Sequence, residues 1–128
     1  MSADEFDWTE YQKLADIMVE LELSISCEAR YRAAVSRYYY ASFHCAKQYA
    51  NKHYGLKITG KSEDHERVTD NLVQNAHEDF VSLSAQQLRK LRRYRNMCDY
   101  AGIVDNIEKI LKASRESSEK IISNLKEK

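Results

Sequence analysis

Between Ala29 and Tyr49 the chain reads ARYRAAVSRYYYASFHCAKQY, a stretch with no glycine or proline. Apolar and aromatic side chains recur through it at a helical period, at Val35, Tyr38, Tyr39, Ser42, Cys45, Ala46 and Tyr49. The spacing predicts one long central helix, continuing to about Asn51 or Tyr54 and closed by Gly55, which tolerates the positive φ of a C-cap. Arg30, Arg37 and His44 fall seven residues apart, close to two helical turns, so they form a polar stripe beside the buried face. The same helix thus offers both core and candidate chemistry.

The rest of the chain fits around such a helix. All 128 residues contain no proline and only three glycines, too little turn punctuation for a sheet protein. The predicted fold is all-α, a single-domain antiparallel bundle of about five helices. The first helix starts near Phe6, with Asp4 and Glu5 at its positive end. Phe6, Tyr11, Leu14, Ala15, Met18, Val19 and Leu21 face inward, and Glu10, Lys13, Asp16 and Glu20 face outward. Ser24 or Ser26 caps the central helix. After the basic loop GLKITGK, Ser62 caps a third helix that runs to about His77, with Val68, Leu72, Val73 and Ala76 inside. Phe80, Val81 and Leu83 form a connection, Ser84 and Gln87 a capping box for a fourth helix that stops at Gly102, and Asp105 with Glu108 a similar box for the last. That last helix carries an inner stripe from Ile107 to Leu125, and its tail frays.

Twenty basic and twenty acidic residues cancel, so attraction to nucleic acid must come from a local patch. Arg89 to Arg95, RKLRRYR, supplies one. With Leu88, Leu91, Cys98 and Ala101 inside, Arg92 and Arg95 lie at the border of the core, and Arg89 and Arg93 in the open. Positive charges so close repel one another, and a phosphodiester would relieve that repulsion. Asp99, four residues after Arg95, offers an internal partner. Cys27, Cys45 and Cys98 lack zinc-site spacing and read as reduced thiols, and neither metal nor cofactor is expected. The acidic beginning and the lack of an apolar run approaching the ~20 residues that span a bilayer point to a cytoplasmic protein without membrane association.

Three blocks, AVSRYYYASFHCAKQYA, the Lys61 and His65 pair, and LRRYRNMCDYAG, together resemble the HEPN family in its small stand-alone prokaryotic branch, with patterns near SRxYYAxFH and RxxADY. The resemblance spans roughly residues 29–102. It implies a homodimer whose paired motifs line a shared cleft for RNA or a nucleotide. It also implies metal-independent ribonuclease chemistry in toxin–antitoxin or antiviral defence systems, and often a nucleotidyltransferase-like companion. Carried onto this chain, the catalytic positions are Arg95, Asp99, Tyr100 and His44, and the binding positions Arg37, Arg89, Arg92, Arg93 and His65. The family places His four to six residues after the motif Arg; here Tyr100 stands there, and the last His of the chain is His77. His44, His65 or Tyr100 itself would have to move the proton instead. A non-catalytic module that docks a partner protein is the competing expectation.

Overall fold

The computed structural model describes residues 6–20 and 26–126, which form five α-helices and no strand: α1 (Glu10–Glu20), α2 (Cys27–Tyr54), α3 (Asp64–Asn75), α4 (Asp79–Tyr100) and α5 (Ile107–Leu125). This is the all-α bundle that the periodicity predicts. At 28 residues α2 is roughly 40 Å long. All four other helices pack on it, and α4 also touches α3 and α5. Both of its ends are chemically marked. Ser26 accepts a hydrogen bond from the Ala29 N–H at 3.1 Å, and Gly55 (φ 66°, ψ 20°) reverses the chain while Leu56 N–H returns to the Ala50 carbonyl at 3.2 Å. Among the described residues, no helix is long and apolar enough to cross a membrane.

The core is made by faces of α2. Tyr39, Phe43, Tyr49, Val68, Leu72, Leu88, Leu91 and Ile121 form its larger part; Ala15, Val35, Tyr38, Cys98 and Ile110 a smaller one toward α1. Of the three consecutive tyrosines, Tyr38 and Tyr39 are fully buried and Tyr40 is half-buried. The α2–α5 seam is polar as well as tight. Ser42 Oγ donates to the Tyr38 carbonyl and lies 2.8 Å from Ser118 Oγ, with both serines wholly buried. Tyr38 itself donates its hydroxyl to Asp16, which also meets Arg115 at 3.3 Å, so α1, α2 and α5 are tied by one polar knot. Burial first, and that acceptor second, push the Tyr38 phenol far above its ordinary range.

Several local expectations are corrected. α1 starts at Glu10, not Phe6, because Asp7 accepts from Thr9 N–H at 3.0 Å and Thr9 Oγ1 at 2.6 Å, which makes a turn ahead of the helix. Leu14, expected inside, is exposed, whereas Asp16, expected outside, serves Tyr38. Asp4, Glu5, Leu21 and Ser24 lie outside the described residues. Ser62 does not cap α3, which ends at Asn75, and Val73 is exposed. α4 absorbs the expected connection: it begins at Asp79, Ser84 Oγ donates back to the Phe80 carbonyl at 2.7 Å, and Gln87 accepts from Ser117 of α5. It ends at Tyr100, before Gly102. α5 is entered through Asn106 in the left-handed region (φ 56°), and neither Asp105 nor Glu108 makes a box.

Cys45 and Cys98 are buried free thiols, pushed up by that burial to about 12 and about 11, so they are inert at neutral pH; Cys27 is exposed. The seam is the place to test the packing. Ser118→Leu should destabilise the fold by about 1–3 kcal/mol through overpacking against Ser42, and Ser118→Ala by about 1 kcal/mol, each read from the midpoint of urea unfolding.

Candidate functional site

Leu88, Leu91 and Cys98 anchor α4 by its inner face. The helix then sets Arg92 and Arg95 half-buried at the border and leaves Arg89 and Arg93 exposed, the distribution that the three-and-four spacing requires. Arg95 is the most constrained of them. Its side chain is 14% exposed, its Nε lies 2.8 Å from Asp99 Oδ2, its Nη2 donates to the Tyr40 hydroxyl at 2.6 Å, and its Nη1 donates to Asn96 at 3.0 Å. The guanidinium carbon also lies 5.6 Å from the Tyr39 ring centre, 5.1 Å from that of Tyr40 and 5.8 Å from that of Tyr100. Three aromatic faces and a carboxylate therefore hold one cation.

His65, in the first turn of α3, completes the group. Its ring stacks on Phe43 (centroids 4.4 Å) and its Nδ1 is hydrogen-bonded to the Tyr39 hydroxyl. Burial, then the charges of Arg92 and Arg95, lower its pKa, so it is neutral at pH 7. The loop before it is fixed by buried Asp64, which accepts from Thr59 N–H (3.1 Å), Thr59 Oγ1 (2.8 Å) and Gly60 N–H (2.8 Å) and pairs with Arg67. Burial works against the Asp64 charge, but these donors outweigh it and hold the carboxyl at about 2. Between α3 and α4 opens a groove of about 420 Å³ lined by Arg89, Arg92, Arg93, Asn96, Thr69, Asp70 and Glu66. Arg89 pairs with Asp70 at 3.1 Å with both side chains about half exposed, a contact worth little in water. Arg92 Nε is buried with no hydrogen-bond partner, and neither Arg92 nor Arg93 makes an ion pair among the described residues.

The fold thus gathers Arg92, Arg95, Asp99, Tyr100 and His65 into one place, with Arg89 and Arg93 on the adjoining groove. The α2 stripe is used differently. Arg30 is buried and donates to the Met18 and Val19 carbonyls at the end of α1, Arg37 lies over the Tyr11 ring at 5.0 Å, and His44 is stacked beneath Trp8 (3.5 Å, 11°). Burial pushes His44 down to about 4, and its Nδ1 is buried without a partner. As a candidate proton carrier it is covered by the segment before α1. His53 is exposed near Tyr49, and His77 is exposed in the link from α3 to α4. Sequence reasoning missed Asp64, Trp8 and Arg32. Arg32 donates to the Cys98 carbonyl at 3.1 Å and to those of Ala101 and Gly102, and so pins the end of α4 on which Asp99 and Tyr100 sit. No local pattern signals it, because its partners lie 66 to 70 residues along the chain. Among the described residues no group of three or more His, Cys, Asp or Glu could hold a metal ion. Comparison of the chain with protein-family models, with curated proteins and with solved structures found no match.

Acid should loosen this architecture in two windows. The unfolded chain protonates His44 and His65 near pH 6.5, while the fold resists it, so stability should fall as pH drops from 6.5 toward about 4. Asp64 contributes above pH 4 a stability that is lost as pH falls toward 2. Urea midpoints measured from pH 8 to 2 should show both declines. Asp64→Asn should remove the second, and His44→Phe should flatten the first.

Proposed function

We propose that this chain is a HEPN-like protein that binds RNA or a nucleotide through its phosphates, on the α4 arginines and the α3–α4 groove. The observation that carries the reading is that Arg89, Arg92 and Arg93 line one groove while Arg95 is fixed beside it with His65. Two of these cations, Arg92 and Arg93, lack an ion pair among the described residues, and a third has only an exposed carboxylate that a phosphate can displace. Like charges along one helix favour an anionic ligand, and a guanidinium matches the two oxygens of a phosphodiester. The groove volume is of the size that a small ligand or one residue of a strand occupies. The bases of a single strand would find π-faces at Tyr40 and at Tyr100, which is 75% exposed. The setting that the resemblance implies is a toxin–antitoxin or antiviral defence system.

The same region supports dimerisation. Met97 and Tyr100 in the last turn of α4 and Ile103 just past it are exposed apolar side chains, Ile103 at 84%, and Tyr100 lies against Arg95. A second copy seated there would bring two arginine clusters together. The second reading, a non-catalytic module docked on a nucleotidyltransferase-like companion, uses the same apolar side chains.

Fluorescence anisotropy with single-stranded RNA tests the first reading. Affinity should fall steeply with salt, and Arg92→Ala should weaken binding to all sequences alike, lowering the log–log salt slope by about 0.7. Arg92→Ala combined with Arg95→Ala should abolish measurable binding; RNA held as tightly by that double variant refutes the reading. Light scattering at micromolar concentration should give twice the 15.0 kDa chain mass, and a monomer would refute the dimer.

A further inference from the structure

The Tyr39–His65 contact decides which form of the imidazole the arginine cluster faces. Tyr39 is fully buried, and His65 Nδ1 is the one hydrogen-bond partner of its hydroxyl among the described residues. A buried O–H left without an acceptor is costly, so the phenol proton goes to Nδ1, and Nδ1 supplies the lone pair. A neutral imidazole that accepts at Nδ1 carries its proton at Nε2. Nε2 makes no hydrogen bond among the described residues and is not one of the buried unpartnered atoms. We infer that Tyr39 fixes His65 as a neutral Nε2–H donor for a phosphate oxygen, so that the site holds a phosphodiester without activating the 2′-hydroxyl beside it.

This deepens the phosphate-binding reading and rests on it. A general base must offer a lone pair to the proton that it removes. Here one lone pair is spent on Tyr39, and the other nitrogen bears hydrogen. Turning the ring into the base tautomer would require Nδ1–H to donate to the Tyr39 oxygen, which would strand the phenol proton in the core. The surroundings also oppose the cationic form. Arg92 and Arg95 from α4, the latter paired with Asp99, and Lys47 from α2 disfavour charge on the ring and outnumber Asp64, which favours it, and His44 from α2 adds no favourable charge. Tyr39 stays protonated throughout, because burial raises its pKa well above the ordinary phenol value. Tyr39 is therefore a positioning residue, and His65 a neutral donor beside the cations.

Long-range proton–nitrogen correlation spectra of the 15N-labelled full chain at pH 7 read the tautomer directly, without RNA. The expected result is a protonated Nε2 and an unprotonated Nδ1 at His65, changing to a mixture in Tyr39→Phe, a variant that keeps the ring and its packing. Protonated Nδ1 with bare Nε2 in the wild type overturns the inference. On the functional side, His65→Ala should weaken single-stranded RNA binding by about fivefold to tenfold. His65→Gln, whose amide N–H can replace Nε2–H, should recover most of that loss, and wild-type affinity should stay flat between about pH 6.5 and 8.5. RNA incubated in chelator should remain intact. Cleavage that disappears in His65→Ala overturns the inference, as does His65→Gln binding no better than His65→Ala. Wild-type protein that shows the Nε2–H tautomer but binds no RNA leaves the tautomer assignment standing and refutes the phosphate-binding reading instead.

Discussion

A helix packed on by every other helix keeps little of its surface for water, so the polar groups on its covered faces must find partners inside the bundle. α2 is in that position. Its Arg30 reaches the last carbonyls of α1 and its Arg32 those of α4, and neither α1 nor α4 has a basic residue in its own final turn. Carbonyls at a helix C-terminus lack intrahelical donors and carry the negative end of the macrodipole. The central helix supplies both cations from outside. In doing so it fixes where α1 and α4 stop and how they lie against it, a geometric role that apolar contacts alone would leave looser.

The α4 cluster depends on that arrangement. With Leu88 and Leu91 buried below it and Arg32 on the carbonyls at its end, the helix cannot turn its arginines further into water. Arg95 is compensated by Asp99 and by aromatic faces from both α2 and α4, contacts worth roughly 0.5–2 kcal/mol apiece depending on how dry they are. Arg92 and Arg93 receive no such carboxylate among the described residues. Cations on one helix differ, then, because, of the two at the inner border, only Arg95 has a carboxylate four residues on, where Arg92 has Asn96. The compensated one is structurally fixed, and the others remain available to a ligand.

Histidines divide along the same line. Two of the four chain imidazoles, His44 and His65, stack on aromatic rings and resist protonation, yet their surroundings differ. His44 is closed over by Trp8, whereas His65 stands at the head of α3 with Arg92 and Arg95 near it. Asp64 carries the difference: by accepting three bonds from Thr59 and Gly60, it ties the preceding loop to the start of α3 and holds the next residue against Tyr39 and Phe43.

What the sequence alone determined was whatever depends on neighbours a few residues away. The absence of proline, the period of the apolar residues, a cap at Ser24 or Ser26 and the Gly55 stop settle α2 and the all-α class, and the i, i+4 spacing of Arg95 and Asp99 brings them within reach of an ion pair. The graded exposure of Arg89, Arg92, Arg93 and Arg95 follows from the same arithmetic. Local signals failed where a side chain had a partner at a distance: Gln87 left the expected box for Ser117, and Asp16, still partly exposed, accepts from Tyr38. Tertiary structure alone decided that Arg30 and Arg32 cap foreign helices, that His44 lies under Trp8, and that His65 joins Tyr39. These contacts link residues 11 to 70 positions apart, and hydrogen-bond satisfaction in a dry interior is a three-dimensional condition that no local pattern encodes.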